Sequence, residues 1–202
     1  MATELEIKFM VPTQERLETI LRDPEICVKM EQPEYRLLRM ETTYFDTTDG
    51  ALSARRWTLR SRRENERTVV TLKTPGEGYA HGEWECEEND PKAAAERLIA
   101  QGAPEELRAI LKGSALRALC GAQFTRRCAM LRLNGVRCEL AGDSGWLLGG
   151  SRREALCELE LELKEGDAEQ MLAFARALAE RYGLSEGKKS KFARARALAG
   201  GL

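Results

Sequence analysis

Residues 157–164 read CELELELK, with Glu158, Glu160 and Glu162 at alternate positions and Leu159, Leu161 and Leu163 beside them. Alternate residues of a strand share one face, so this stretch is a strand with a wholly charged side and a wholly apolar side. The pattern recurs in residues 3–10, TELEIKFM, where Glu4, Glu6 and Lys8 alternate with Leu5, Ile7 and Phe9, and in LRSR, where Arg60 and Arg62 alternate. If Leu5, Ile7, Phe9 and the three leucines pack beneath covering helices, the charged residues must line an interior filled with water, metal or anion. Function is to be sought there.

The bulk properties fit that reading. A chain of 202 residues with 43% hydrophobic residues is long enough for a substantial core, and one domain over residues 1–202 is expected. Lys and Arg number 32 against 33 Asp and Glu, a formal net charge of -1, whereas a nucleic-acid binder is usually one-sided. Six scattered cysteines form no CxxC pair and His81 is the single histidine, which argues against zinc. The opening MATELEIKF has no apolar signal region and no run is long enough to cross a membrane, so reduced thiols in a cytoplasmic protein without a membrane partner are expected.

Working outward, Thr3 to Val11 reads as a strand and Gln14 to Arg22 as a covering helix with Leu17, Ile20 and Leu21 on one side. Tyr35 to Asp46 reads as a strand, followed by the turn Thr47-Thr48-Asp49-Gly50 and a short helical stretch, Ala51 to Arg55. Trp57 to Arg63, Thr68 to Thr74 and His81 to Glu88 form a meander of three strands, with ENER and PGEGY as turns. Pro91 to Gln101 and Pro104 to Lys112 read as helices with proline in the first turn. Gln123 to Leu133, Val136 to Ala141 and Leu156 to Lys164 are further strands, the first two joined by a hairpin at Asn134-Gly135. A helix follows from Asp167 to Tyr182, ending near Gly183, and GKKSKFARARAL supplies a last helical turn or two. About eight strands result.

If the strands bearing Glu4 and Glu6 and bearing Glu158, Glu160 and Glu162 are neighbours, four or five carboxylates converge and repel unless neutralised. Hard oxygen donors of this kind suit Mg²⁺ or Mn²⁺; for one such strand alone, a solvated face is the plainer reading. Lys8, Arg60, Arg62 and Lys73 alternate on other strands, with Arg126 and Arg127 later. Guanidinium forks and ammonium groups on facing strands would cradle a polyanion; any one of them alone is satisfied by a cross-strand glutamate. Tyr44 and Phe45 read as packing residues, Asp46 as a turn cap, and Asp143, in AGDSG at a strand end, as a turn cap or a cavity residue, with the balance towards the cavity. Gly187-Lys188-Lys189 lacks the spacing of a phosphate-binding loop.

Taken in order, these residues resemble the CYTH domain, or triphosphate tunnel metalloenzyme, family. Its ExExK is matched by Glu4, Glu6 and Lys8, followed by YFD at Tyr44 to Asp46, LRxR at Leu59 to Arg62, TxK at Thr71 to Lys73 and ExE at Glu83 to Glu85. An Arg pair at Arg126 and Arg127, DxG at Asp143 to Gly145, ELELEL, and SKxxR from Ser190 to Arg194, similar to the bacterial inorganic triphosphatase branch, complete the series. The resemblance implies an α+β fold, a closed eight-stranded antiparallel β-barrel with helices outside, whose tunnel takes a small triphosphate-containing substrate with Mg²⁺ or Mn²⁺. It places Glu4, Glu6, Glu158 and Glu160 on metal and Lys8, Arg60, Arg62, Lys73, Arg126 and Lys191 on phosphate, with Glu4, Glu6 and Lys8 at the chemistry. Glu83, Glu85 and Asp143 would serve a second metal or hold the arginines, and one of Arg126 and Arg127 would face inward. Relatives often carry Arg where this chain has His81, which would make one phosphate contact pH-dependent.

The activity this implies is metal-dependent hydrolysis of inorganic triphosphate to diphosphate and phosphate. The alternatives are hydrolysis of thiamine or nucleoside triphosphate, cyclisation of ATP, and a non-catalytic module that binds polyphosphate or nucleotides.

Overall fold

The computed structural model describes residues 3–76 and 80–200. Eight antiparallel strands close into a barrel: β1 (Thr3–Met10), β2 (Arg36–Thr47), β3 (Thr58–Glu64), β4 (Arg67–Thr74), β5 (Ala80–Glu87), β6 (Leu116–Leu133), β7 (Val136–Gly149) and β8 (Arg152–Glu165). Around the wall the order is β5-β4-β3-β2-β6-β7-β8-β1, and β1 closes the ring by pairing with β8 on one edge and β5 on the other. Closure removes the free sheet edges. A two-residue strand, β9 (Ser185–Glu186), adds to the far end of β1, where Phe9 lies opposite Glu186.

The strands form as their alternation demands, because the two faces have different solvents. Ile7, Phe9, Leu159 and Leu161 turn outward into a core shared with Leu17, Ile20 and Leu21 of α1 (Gln14–Leu21) and Met171, Leu172 and Leu178 of α6 (Ala168–Tyr182). The short α2 (Pro24–Cys27) adds Ile26 to this cluster. On the other side of the barrel, Leu59, Val70, Leu72 and Trp84 pack with Leu52 of α3 (Ala51–Ala54), Leu98 of α4 (Ala94–Ala100) and Leu107 and Leu111 of α5 (Glu106–Gly113). Each fully buried leucine contributes roughly 1.5–3 kcal/mol relative to an exposed one, so the apolar faces hold the covering helices while the charged faces stay inside.

The helix ends follow local rules. Thr13 accepts the Arg16 N–H at the start of α1, Asp167 accepts the Glu169 N–H at the start of α6, and α6 stops at Gly183 with φ 63°. Asp46 is a buried cap: Oδ1 accepts from the backbone N–H of Thr47 and Leu52, and Oδ2 from that of Ser53.

The last helix, α7 (Lys191–Leu198), is not an outer cover. Phe192, Ala195 and Leu198 pack with Met40, Tyr44, Ala122, Phe124, Leu147 and Leu156, so α7 fills one end of the barrel from within. Tyr44 meets the Phe192 ring at 5.2 Å between centroids. Gly149 permits the approach, since a Cβ there would lie 2.4 Å from the Ala195 carbonyl oxygen.

Three strands are longer than the sequence suggests. β6 begins at Leu116, not Gln123; β7 continues to Gly149, past Ala141; and β8 begins at Arg152, not Leu156. The extra lengths of β7 and β8 form a second long hairpin whose turn uses Gly150 at φ 58°. Asp143 is therefore not at a strand end but inside β7. Most of the expected PGEGY turn, residues 77–79, lies outside the described residues. Among the described residues no helix is long and apolar enough to cross a membrane.

Candidate active site

The barrel encloses a cavity of about 1150 Å³. Its wall carries the inward residues of every alternating strand: Glu4, Glu6 and Lys8 from β1, Arg60, Arg62 and Glu64 from β3, Lys73 from β4, and His81, Glu83 and Glu85 from β5. Arg126, Glu139, Glu160 and Glu162 come from β6, β7 and β8. These groups sort into local sets by register.

Where β1 meets β5, Lys73 Nζ bridges Glu4 and Glu83, its contact with Glu83 being 3.1 Å, and Arg60 donates to Glu83 Oε1 at 3.3 Å. Burial, and then a hydrogen bond to Glu83, push the Glu4 carboxyl above its ordinary pKa. Burial works against ionised Glu83 too, but its bond with Glu4 and the charges of Lys73 and Arg60 hold it below its ordinary value.

Where β1 meets β8, Glu6 lies opposite Glu162 and Lys8 opposite Glu160. Lys8 Nζ is 3.1 Å from Glu6 Oε1 and 3.8 Å from Glu160 Oε1. Burial disfavours the ammonium, yet Glu160 and Glu6 outweigh it and raise its pKa. Glu162 has Lys164 as its ion-pair partner, and burial, reinforced by the Glu4 charge, raises its carboxyl pKa. Glu4, Glu6 and Glu162 thus each have one lysine partner, Lys73, Lys8 and Lys164.

The third set is the most buried. Asp143 and Glu158 are 0% exposed and Glu160 7%. Arg126 grips Asp143 with Nε to Oδ1 at 2.8 Å and Nη2 to Oδ2 at 2.7 Å, and reaches Glu160 Oε2 at 2.5 Å. Lys191, at the first turn of α7, places its ammonium 2.9 Å from Asp143, 2.7 Å from Glu158 and 2.5 Å from Glu160. Arg194, one turn on, takes the other Glu158 oxygen at 2.5 Å and also binds Glu154. Three carboxylates thus meet three cations without any further ion. Despite burial, Lys191, Arg126 and Lys8 hold the Glu160 carboxyl well below its ordinary range. One oxygen from each of Asp143, Glu158 and Glu160 lies within 4.8 Å of the others, a spacing that could hold a metal ion, and the Lys191 ammonium stands among them.

Arg62 differs from the other cations. Its ion-pair partner is Glu64 on the same strand face, with Nε to Oε1 at 2.7 Å, and burial, Arg60 and Arg126 together lower its pKa. It is a cation with two others, Arg60 and Arg126, close enough to oppose its charge.

The structure thus brings Glu4, Glu6, Lys8, Arg60, Arg62, Lys73, Glu83, Glu85, Arg126 and Glu160 to one cavity, with Lys191 entering it from α7. His81 lines it opposite Glu4. Arg127 faces away, 3.4 Å from Glu18 of α1, so Arg126 is the inward member of the pair. Glu158 is inward too, but committed to Lys191 and Arg194. Sequence reasoning counted Glu162 among the converging carboxylates without making it a ligand, and assigned no role to Glu64, Glu139 or Arg194. Glu64 could have been found by extending the same-face alternation from Arg62; Arg194 lies one helical turn from Lys191.

A family model for the CYTH domain matches residues 2–195. An inorganic triphosphatase of Haemophilus influenzae is 27% identical over 185 residues, which is 88% of this chain and 50% of that protein. The chain spans about half the length of that curated relative. Among solved structures, a Hippeastrum adenylyl cyclase candidate described as having a dominant triphosphatase activity superposes with a TM-score of 0.61 at 19% identity, over 98% of this chain and 96% of that one. A Pyrococcus horikoshii protein, PH1819, does so with a TM-score of 0.57 at 17% identity, over 95% and 97%. At these identities the two structures share the fold.

Proposed function

This chain belongs to the CYTH domain family, and from that premise we propose that its tunnel hydrolyses inorganic triphosphate to diphosphate and phosphate. The observation that carries the proposal is the convergence of Lys8, Arg60, Arg62, Lys73 and Arg126 on one cavity whose other lining groups are carboxylates. A binder of simple anions needs only the cations; carboxylates facing the same space suit a polyanion that arrives with a divalent metal. The name of the Haemophilus relative supports the same substrate.

Glu4, Glu6 and Glu162 would hold a Mg²⁺ or Mn²⁺ ion in this reading: they line one cavity, Glu6 and Glu162 lie directly opposite in register, and each carboxylate has one lysine partner to give up. Such an ion supplies charge neutralisation and Lewis acidity at the reacting phosphate. Glu158 and Glu160 take a different part in this reading: they hold Lys191 and Arg126 in place.

The chain's own residues do the remaining work. Arg62, Arg60 and Lys73 exchange carboxylate partners for phosphoryl oxygens and draw the triphosphate into line. Lys8 and Arg126 sit where charge builds on the departing diphosphate. Water attacks the terminal phosphorus, the bridging P–O bond breaks with its electron pair on diphosphate, and the water's proton passes to a carboxylate of the tunnel wall.

The test is Glu6→Gln. Its side chain keeps its shape, so the protein should fold and melt as before while phosphate release with Mg²⁺ falls by roughly 100-fold or more. Unchanged turnover in this variant would remove Glu6 from the metal site and with it the assignment.

A further inference from the structure

Thr71, in the middle of β4, is 0% exposed, and its hydroxyl has no hydrogen-bond partner among the described residues. Arg60 Nε is likewise buried without a partner. The two residues lie directly opposite each other in the β3–β4 ladder. Val70 and Leu72, on either side of Thr71, pack in the outer core, so Thr71 shares the other strand face with Lys73 and lies covered beside Arg60; Lys73 and Arg60 line the tunnel there.

Burying an unpaired hydroxyl is costly, and an isosteric valine would avoid that cost. A threonine here is therefore a stability liability that a ligand can offset. The missing group is also chemically defined. Arg60 Nε–H can only donate and the hydroxyl can donate beside it, so the pair asks for an acceptor and is the wrong site for a cation. The guanidinium is bound at its other end to Glu83, at 3.3 Å through Nη2.

We propose that Thr71 is a further substrate-binding residue, whose hydroxyl and Arg60 Nε–H donate to the same phosphoryl oxygen of the triphosphate. The proposal rests on the tunnel being the triphosphate site. When an incoming phosphate displaces Glu83 from Arg60, the guanidinium is free to turn, and Nε–H and the Thr71 hydroxyl converge on one oxygen. Thr71 then acts as a length-matched hook: it fixes the depth at which a phosphoryl group stops beside Lys73.

The experiment compares Thr71→Val and Thr71→Ser with the unsubstituted chain by calorimetric titration of inorganic triphosphate in EDTA, where turnover does not interfere, and by thermal melting without ligand. Thr71→Val should melt about 2–8 °C higher, as expected from removing an unpaired buried hydroxyl, yet bind triphosphate roughly 10- to 100-fold more weakly, as expected for losing a hydrogen bond to a charged group. Thr71→Ser should bind within about threefold of the original. Equal affinity in Thr71→Val, with binding intact in the unsubstituted chain, overturns the inference and leaves the triphosphatase reading standing. Absence of both triphosphate binding in EDTA and turnover with Mg²⁺ or Mn²⁺ in the unsubstituted chain overturns both; turnover with metal but no binding in EDTA moves the Thr71→Val comparison to KM, with the same two outcomes. A merely structural threonine would lower stability on substitution and leave affinity alone.

Discussion

Lys191→Met keeps the length and apolar stem of the side chain while deleting the ammonium that stands 2.9, 2.7 and 2.5 Å from Asp143, Glu158 and Glu160. Those three carboxylates would keep Arg126 and Arg194, and Lys8 at 3.8 Å from Glu160, which Glu6 shares. The cation common to all three is then lost in a region where two of the three residues have no exposed surface. Removing one partner from a buried ion pair costs roughly 3–5 kcal/mol, and at about 2–4 °C per kcal/mol for a chain of this size the melting temperature should fall by roughly 6–20 °C. Scanning calorimetry in EDTA reads this directly. Adding Glu158→Gln to the same chain removes the surplus charge and should recover a large part of the loss, a coupling of about 1 kcal/mol or more in a double-mutant cycle. Millimolar Mg²⁺ should also protect Lys191→Met more than the unsubstituted protein, because the deleted ammonium exposes three carboxylates at metal-binding spacing. A fall under about 2 °C, or strictly additive single and double variants, would refute the claim that α7 is locked into the barrel by charge.

Other consequences separate the inner wall from the outer one. Arg126→Lys should weaken triphosphate binding and destabilise the fold, since a single ammonium cannot replace the fork that spans Asp143 and Glu160, whereas Arg127→Ala should change stability by about 0–1 kcal/mol and leave binding alone. The carboxyl of Glu160 is depressed in the fold, so its contribution is complete above its unfolded pKa near 4.5 and is lost as pH falls through the folded value; melting curves of Glu160→Gln should therefore lose less between pH 5 and pH 3 (about those limits) than those of the unsubstituted protein. Asp46→Ala removes the acceptor for three backbone N–H groups around α3 and should cost about 1–2 kcal/mol in denaturant melts, with Asp46→Asn intermediate.

The charged inner wall was legible because charged side chains line most of the cavity, while the closure into eight strands was what the resemblance to the CYTH family implied. Wherever the cavity is wet, the inward residues are charged and the alternation is plain, as at Glu4, Glu6 and Lys8 or at Glu158, Glu160 and Glu162. Where α7 replaces water, the inward residues turn apolar. Ala122, Leu147 and Leu156 face Phe192 and Ala195 rather than solvent, while Trp146, on the outside, is 42% exposed. The polarity of the strand faces is thus inverted along β6, β7 and β8, and this hides the first residues of β6, the last of β7 and the long β7–β8 hairpin from a reading based on charge.

The candidate site shows the same division. Alternation marks which residues point inward, so Arg60, Arg62 and Lys73 could be named without coordinates, and the family resemblance added Glu83 and Glu85. Pairing across the wall depends on register, which alternation does not fix: Glu6 meets Glu162, and Glu160 meets Lys8. Register therefore separates the carboxylates of β8 into one that faces Glu6 and two that are taken up by Lys191, Arg126 and Arg194. The Arg126 and Arg127 pair could not be divided by type, only by the packing that puts Arg127 beside Glu18. The partners of Arg194 come from folding α7 back through the barrel, a contact set by helix burial and not by any local pattern.

The most direct measurement is the initial rate of phosphate release from inorganic triphosphate, ATP and thiamine triphosphate, each with Mg²⁺, with Mn²⁺ and in EDTA. The expected result is metal-dependent release fastest from inorganic triphosphate, stopped by chelation and lost in Glu6→Gln. Release that persists in EDTA, a cyclic product from ATP, or triphosphate binding without turnover under every metal would contradict it.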